Sequence, residues 1–299
     1  ISPDIDGFVS SVIVSAYAAK QGVSTSVIGN YDSSKLRLAD DVTLVDARNA
    51  LWLDLDVRFD VPYVIGQHFL GKVSVGEHYF NPNLEFDVTD KMYTKCPIST
   101  THLVLWGLFD TEKEMSPNLC SMTPARAAVT HADSLYMIVK KYNFNTNNWA
   151  KRLFPDKAYP DTLRCLLDGS YETDGLEAHH DFLKTVSNDI RGTTWKRKTW
   201  GAFRGHQSLI CNEPPRIKRV LDTIASHFDV EPPTVHEGEW VAWKGRRVMW
   251  NSKNIDWASD EFQGRLEEDK VRSHAIVNGK TISVTVGRPL NNKRNRPNE

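Results

Sequence analysis

The sequence predicts an α/β fold in which a parallel-sheet domain is followed by a smaller α+β domain. Strand-like apolar segments alternate with helix-like segments through the first half of the chain, which is typical of a parallel sheet with crossover helices. The second half offers an amphipathic helix at 216–228 and a hairpin signal at Asn278-Gly279. We place the boundary near 145–160, giving domains 1–150 and 151–299.

The composition limits the class of protein. The 299 residues are 40% hydrophobic and carry a formal net charge of −1, so a sizeable core is expected but no global attraction to nucleic acid or membrane. The four cysteines are widely spaced, no secretory leader is visible, and no apolar run reaches the roughly 20 residues that span a bilayer. We expect a reducing, cytoplasmic (intracellular) setting without a membrane partner.

The first elements follow from local patterning. A strand is predicted to end near Asp4, and the small and apolar residues from Phe8 to Lys20 predict a helix. The next predicted strands are 23–28, 42–45, 53–61 and 63–65.

Later elements are predicted on the same grounds. Helices are expected at 103–109 and 125–142, and the asparagine-rich segment 143–148 is the best linker candidate. Beyond the helix at 216–228, strands are expected at 240–249 and 274–286.

The segment Asp4-Ile5-Asp6-Gly7 predicts a site for a hard cation. Alternation along a strand would place Asp4 and Asp6 on one side, and Gly7 would let the backbone turn into the helix. Two such carboxylates repel when both are ionised, so Mn²⁺ or Mg²⁺ is the expected partner. The alternative is that both aspartates are ordinary turn and N-cap residues.

Further polar motifs follow along the chain. They are Asp46 after the strand at 42–45, Asp54 and Asp56 in a Leu-Asp-Leu-Asp alternation, Gln67-His68, Asn81-Pro82-Asn83, and Asp133 on the helix at 125–142.

This order of motifs, over about residues 1–140, resembles the DHH phosphoesterase superfamily. Its members include RecJ-type exonucleases, oligonucleotide phosphodiesterases and manganese-dependent pyrophosphatases. They carry a carboxylate pair after the first strand, a lone aspartate after a later strand and an Asp-His-His after the next. Often an Asn-Pro-Asn loop follows, and then a final aspartate on a helix.

The resemblance implies a DHH-like first domain that hydrolyses phosphoesters with one or two Mn²⁺ or Mg²⁺ ions. We expect a metal-dependent phosphodiesterase that acts on single-stranded nucleic acid or short oligonucleotides, with Asp4, Asp6 and His68 as catalytic residues. The implied metal ligands are Asp4, Asp6, His68, Asp133 and a central aspartate, which is Asp46, Asp54 or Asp56.

The chain departs from the family at the Asp-His-His motif, where it has Gly66-Gln67-His68 or Gln67-His68-Phe69. His68 then corresponds either to the first family histidine, a metal ligand, or to the second, a phosphate contact. The histidine that many members carry ahead of the first aspartate would fall before Ile1. Two alternatives follow: a member without catalysis that serves as a nucleic-acid-binding or assembly subunit, and a hydrolase of small compounds such as pyrophosphate or a cyclic dinucleotide.

Basic and aromatic residues are interleaved in the second half. Lys196, Arg197 and Lys198 lie between Trp195 and Trp200. A second cluster contains Arg246 and Arg247. Cations neutralise phosphates and aromatic faces stack on bases, so both clusters are predicted to bind single strands. The alternative is that the tryptophans belong to the core and the charges form a solvated face.

Overall fold

The computed structural model describes fourteen stretches of the chain. They are residues 1–31, 35–57, 63–73, 75–88, 94–155, 161–171, 174–189, 196–200, 203–208, 213–244, 246–251, 256–269, 271–278 and 281–286. Trp195 and the basic tail 288–296 lie outside them.

The described residues form a mixed α/β structure. The helices are α1 (Ile5–Lys20), α2 (Leu44–Asn49), α3 (Pro82–Glu85), α4 (Thr100–Leu108), α5 (Glu112–Met115), α6 (Pro124–His131), α7 (Leu135–Leu153), α8 (Asp161–Leu167), α9 (Asp174–Asp189), α10 (Pro214–Phe228) and α11 (Asp260–Glu268). Short 3₁₀ turns cover Pro117–Leu119 and Ala132–Ser134. The strands are β1 (Ser26–Val27), β2 (Gly29–Tyr31), β3 (Lys35–Ala39), β4 (Leu51–Leu53), β5 (Tyr63–Ile65), β6 (Tyr79–Phe80), β7 (Lys196–Trp200), β8 (Phe203–Ser208), β9 (Thr234–Val235), β10 (Trp240–Lys244), β11 (Arg246–Asn251), β12 (Val271–Asn278) and β13 (Thr281–Val286).

The chain divides into two compact units that alternate along the sequence. Unit 1 comprises residues 1–30 and 96–239, and unit 2 comprises residues 31–95 and 240–299. The boundary expected near 145–160 therefore falls inside unit 1, and each unit is built from two separate segments.

Unit 1 is mainly helical. Helix α1 packs against α4 and α10, and α6 packs against α9. The sequence prediction of an amphipathic helix at 216–228 is confirmed, because Ile217, Val220, Leu221 and Ile224 of α10 are fully buried. Strands β1 and β9 pair in parallel, and β7 and β8 form an antiparallel hairpin.

Unit 2 contains the longest parallel sheet, in the order β4-β5-β6. Its core includes Trp52 and Val64, which project from neighbouring strands of that sheet into one apolar cluster. Strands β3 and β10 pair antiparallel in a separate sheet of the same unit. The described residues thus combine helices with parallel strands, as predicted for an α/β fold, although of the strands predicted before residue 66 only 63–65 coincides with a strand of this sheet.

A second apolar cluster of unit 2 lies beside the antiparallel sheet β11-β13-β12. Phe262 and Leu266 of α11 pack there with Ile282 and Val284 of β13. Strands β12 and β13 pair in antiparallel register on either side of residues 279–280, as the Asn278-Gly279 signal predicted.

Four predicted strands differ from the structure. The strand predicted at 53–61 is found only at Leu53, the last residue of β4, and residues 54–57 form no strand, while 58–61 lie outside the described ranges. The strand at 42–45 is wrong, because Thr43 and Asp46 form a reciprocal capping box that starts α2. The strand expected to end near Asp4 is also wrong, since Asp4 is the N-cap residue of α1. The strand predicted at 240–249 is two strands, β10 and β11, in different sheets.

The long helix expected at 125–142 is interrupted. Asp133 adopts φ 42° and ψ 30°, so α6 ends at His131 and α7 starts at Leu135. The linker expected at 143–148 lies within α7, where a non-helical φ of −130° at Tyr142 is the local irregularity. The polar asparagines therefore lie on a helix surface. No helix in the described part of the chain is both long enough and apolar enough to cross a membrane.

Candidate functional site

Asp6 is a buried carboxylate of unit 1 that is held by two backbone amides. Its side chain is buried at the start of α1, and the backbone amides of Thr100 and Thr101 donate to its two oxygens at 3.1 and 2.8 Å. These amides belong to the first turn of α4, where amide groups lack partners within the helix and attract negative charge. The N-terminus of α4 therefore binds and orients Asp6.

Asp4 has a local structural role as well. Its carboxylate accepts a hydrogen bond from the Gly7 amide at 3.1 Å and caps α1. A Cβ atom at Gly7 would lie 2.3 Å from the Ser2 carbonyl oxygen, so the glycine allows a close approach of the backbone. Asp4 and Asp6 are consequently placed by a helix start and not by strand alternation.

Three aspartates of unit 1 interact electrostatically. The pKa of Asp6 is raised to about 7, chiefly by burial and also by the negative charges of Asp133 and Asp4, while hydrogen bonds from Thr101 oppose the shift. Asp133 is exposed, in the left-handed conformation between α6 and α7. The structure thus brings the charges of the predicted residues Asp4 and Asp133 close enough to Asp6 to disfavour its ionised form.

In unit 2, polar side chains follow each strand of the parallel sheet. Asp54 comes directly after β4, Gln67 and His68 come after β5, and Asn81 comes after β6. The strands are adjacent and parallel, so these residues leave the same edge of the sheet. This edge is where ligands of open α/β sheets are usually bound.

Asp56 and His68 form a close pair at this edge. His68 Nδ1 lies 2.7 Å from Asp56 Oδ2, and the His68 amide donates to the same oxygen at 3.0 Å. The other oxygen, Oδ1, accepts from Tyr79 Oη at 2.9 Å and from Asn81 Nδ2 at 2.8 Å. Burial alone would raise the pKa of Asp56, but these hydrogen bonds and the charge of His68 hold it below its usual value.

The Asn-Pro-Asn loop holds the turn after β5. Asn81 Nδ2 donates to the His68 carbonyl at 2.9 Å, and Asn83 Nδ2 donates to the Gln67 carbonyl at 2.9 Å. Asn81 also caps α3 by accepting from the Asn83 amide. The motif therefore fixes the backbone that carries His68.

The three candidates for the central aspartate differ in their surroundings. Asp46 is exposed and accepts from the Thr43 amide and hydroxyl, which lower its pKa. Asp54 is buried at the sheet edge with φ 56°, a left-handed conformation that costs energy for a non-glycine residue. Asp46 is thus occupied in capping α2, whereas Asp54 and Asp56 lie at the edge with His68.

Two basic clusters were predicted to bind nucleic acid. Lys196, Arg197 and Lys198 lie on β7, whose backbone is described, but their side chains lie outside the described set. Arg246 is exposed on β11, next to Arg247 on the same strand. Their binding of single strands stays a prediction.

Sequence reasoning missed the partners of the key carboxylates. Thr100 and Thr101 follow Ser99, the N-cap residue of α4. A Ser-Thr-Thr sequence at the start of a helix could have indicated that the first backbone amides of α4 bind a carboxylate. Tyr79 gave no local signal, because its contact with Asp56 depends on the pairing of β5 with β6.

His102 is buried in α4, with its Nδ1 2.7 Å from the Ser99 hydroxyl oxygen. Burial lowers its pKa to about 3, so it is neutral at physiological pH. It belongs to the interior of unit 1.

No group of three or more histidine, cysteine, aspartate or glutamate side chains within the described ranges is arranged as a ready metal site. Comparison of the chain with family models, with curated proteins and with solved structures gives no match. The resemblance to the DHH phosphoesterases therefore rests on the motifs and stays a prediction.

Proposed function

We propose that this protein is a metal-dependent phosphodiesterase that acts on single-stranded nucleic acid or short oligonucleotides. The observation that carries the proposal is the buried Asp6 carboxylate beside Asp4 and Asp133, with its pKa raised to about 7. A divalent cation relieves such repulsion because it favours the ionised form of every carboxylate near it.

Oxygen donors of this kind suit Mn²⁺ or Mg²⁺, as one ion or two. Asp4, Asp6 and Asp133 of unit 1 would hold the cation, and a bound cation lowers the pKa of water and offsets charge on phosphoryl oxygens. The Thr100 and Thr101 amides orient Asp6 in advance. In the reaction, water adds to phosphorus, the P–O ester bond breaks, and the leaving oxygen takes up a proton.

Unit 2 carries its own set of candidate residues, at the edge of its parallel sheet. His68 is held on its Nδ1 side by Asp56, so Nε2 lies on the opposite side of the ring, where it could contact a phosphate or exchange a proton. Of the predicted central aspartates, Asp54 and Asp56 belong to this edge, whereas Asp46 caps α2.

The exposed surface of α7 favours nucleic acid as the substrate class. This helix starts two residues after Asp133 and contains no acidic residue in its 19 positions. Its four basic residues, Lys140, Lys141, Lys151 and Arg152, are exposed, and so is Phe144, at 81%. A surface with cations and an exposed aromatic ring can bind phosphates and stack a base.

Metal-dependent cleavage of labelled single-stranded DNA and RNA tests the proposal. We expect cleavage with Mn²⁺, loss of cleavage with EDTA, and loss in Asp6→Asn and Asp133→Asn. Asp181→Asn, at an exposed position of α9, is the matched control and should cleave normally. Full activity in Asp133→Asn would overturn the assignment of the site.

A second candidate function is binding of single strands without cleavage, as a binding or assembly subunit. The chain has Gly66-Gln67-His68 or Gln67-His68-Phe69 where the family has Asp-His-His, and the described residues contain no ready group of three metal ligands. Strand binding with no cleavage under any metal condition would favour this candidate. Turnover of pyrophosphate or a cyclic dinucleotide without strand affinity would identify a small-molecule hydrolase instead.

A further inference from the structure

Only glycine fits at position 66 while the Asp56 side chain occupies its observed place. A Cβ atom at Gly66 would lie 2.3 Å from Asp56 Oδ1 and 2.6 Å from Asp56 Cγ, closer than real Cβ contacts allow. Gly264 of α11, in the same unit, offers a contrast, because a Cβ atom there would meet nothing within 4 Å. The space beside the Gly66 backbone is therefore filled by the carboxylate of another residue.

That carboxylate is not free to move aside. Asp56 is buried and accepts four hydrogen bonds, from the His68 amide, His68 Nδ1, Tyr79 Oη and Asn81 Nδ2. Any side chain at position 66 would have to break part of this set. The Asp56 carboxylate can therefore occupy its place only because residue 66 is a glycine.

We propose that Asp56 is the positioning residue of His68, and that its carboxylate replaces in space the side chain that an aspartate at position 66 would supply. The pattern Gly66-Gln67-His68 lacks an acidic residue in sequence, but the structure supplies one from the segment after β4. Asp56 lies ten residues before Gly66 in the sequence, so the short motif around His68 does not indicate it.

The geometry also fixes the state of the imidazole. Asp56 Oδ2 already accepts from the His68 amide, and the ring nitrogen Nδ1 lies 2.7 Å from the same oxygen. A carboxylate accepts only, so the neutral ring must carry its proton on Nδ1 and leave the lone pair on Nε2. Asp56 therefore selects the tautomer whose Nε2 can accept a proton or a ligand.

The first test measures the tautomer of His68 by ¹⁵N NMR of the imidazole at fixed pH in the metal-free protein. We expect the Nδ1–H form in the wild type and a shift toward Nε2–H in Asp56→Asn, because an amide offers one acceptor oxygen instead of two. An unchanged tautomer ratio in Asp56→Asn would overturn the proposal.

The second test changes the residues at positions 56 and 66 and measures the melting temperature. Gly66→Ala should lower the melting temperature, whereas Gly264→Ala, the matched control on α11, should leave it unchanged or raise it. The double variant Asp56→Ala with Gly66→Asp should recover stability and the Nδ1–H signal relative to Asp56→Ala alone. Equal melting temperatures for Gly66→Ala and Gly264→Ala would contradict the arrangement.

The effect on turnover rests on the proposed function and is measured separately. If the protein cleaves strands, Asp56→Asn should lower kcat by tenfold or more with KM within about twofold, since positioning affects the reacting geometry more than binding. If the wild type cleaves nothing, the proposed function fails, while the tautomer and melting measurements still decide the role of Asp56.

Discussion

Asp6 and Thr101 are joined by two hydrogen bonds in the interior of unit 1. The Thr101 amide donates to Asp6 Oδ1 at 2.8 Å, and the Thr101 hydroxyl donates to the Asp6 carbonyl oxygen at 3.1 Å. The first turns of α1 and α4 are therefore held together at the Asp6 carboxylate, whose pKa is raised to about 7. Stability and the candidate chemistry depend on the same contact.

The raised pKa predicts how stability depends on pH. The unfolded chain releases the Asp6 proton near pH 3.8 and the folded protein near pH 7, so the unfolded state binds fewer protons in between. Without metal, stability should fall by up to about 1.4 kcal/mol per pH unit across this window. Denaturant unfolding at pH 4 to 8 measures the slope, which should be flatter in Asp6→Asn.

A divalent cation should reverse this loss. Mn²⁺ binds ionised carboxylates, so it should raise the melting temperature more at pH 7.5 than at pH 5, and EDTA should abolish the rise. The shift should shrink in Asp133→Asn and persist in the control Asp181→Asn. An equal shift in all three proteins would show that Mn²⁺ binds elsewhere.

The basic surface of α7 should contribute to strand affinity through released counterions. Replacing Lys140 and Lys141 by alanine should reduce the slope of log K against log salt by about 1 for single strands. The control replaces Lys113 of α5 and Lys184 of α9, which are also exposed. Equal slopes for the two double variants would remove α7 from the binding surface.

The basic residues of β7 are also expected to contribute to the salt dependence of strand binding. Replacing Lys196, Arg197 and Lys198 by alanine should lower the same salt slope by about 2 if all three contact phosphates. Fluorescence anisotropy of a labelled oligonucleotide over a range of salt concentrations measures it. A slope equal to that of the wild type would mean that the cluster is a solvated face.

Glu112 supports the fold of unit 1 at the start of α8. It is buried and accepts hydrogen bonds from the Thr162 amide, the Thr162 hydroxyl and Trp106 Nε1. Burial raises its pKa, and these donors oppose the shift. Glu112→Ala leaves the donors unsatisfied and should cost about 2–3 kcal/mol of unfolding free energy. Glu177→Ala, at an exposed position of α9, should cost far less in the same unfolding experiment.

Periodic and capping signals explain what the sequence could predict. The helix through Lys20, the strand 63–65 and the pairing around Asn278-Gly279 follow from local patterns, and all are found. Segment 42–45 failed because its apolar run favoured a strand, whereas the Thr43–Asp46 capping box starts a helix. The break at Asp133 had no signal, because a left-handed aspartate resembles any other helix residue in sequence.

Part of the candidate site was predictable and part was not. Asp4, Asp6 and Asp133 were selected from motif order, and the structure brings their charges close enough to interact. The role of Asp56 could not be predicted, because it depends on the carboxylate lying against the Gly66 backbone across two strands. Contacts of that kind are set by strand pairing and not by neighbouring residues.

The alternation of the two units along the chain has a consequence for folding during synthesis. Strand β3 pairs with β10, so Ala39 reaches its partner Trp240 only after the second segment of unit 1 has been made. Such long-range pairing slows folding and leaves early strands exposed to other chains. While synthesis has not yet reached residue 240, the nascent chain would carry β3 as an open edge. Such ribosome-bound intermediates are candidates for chaperone protection.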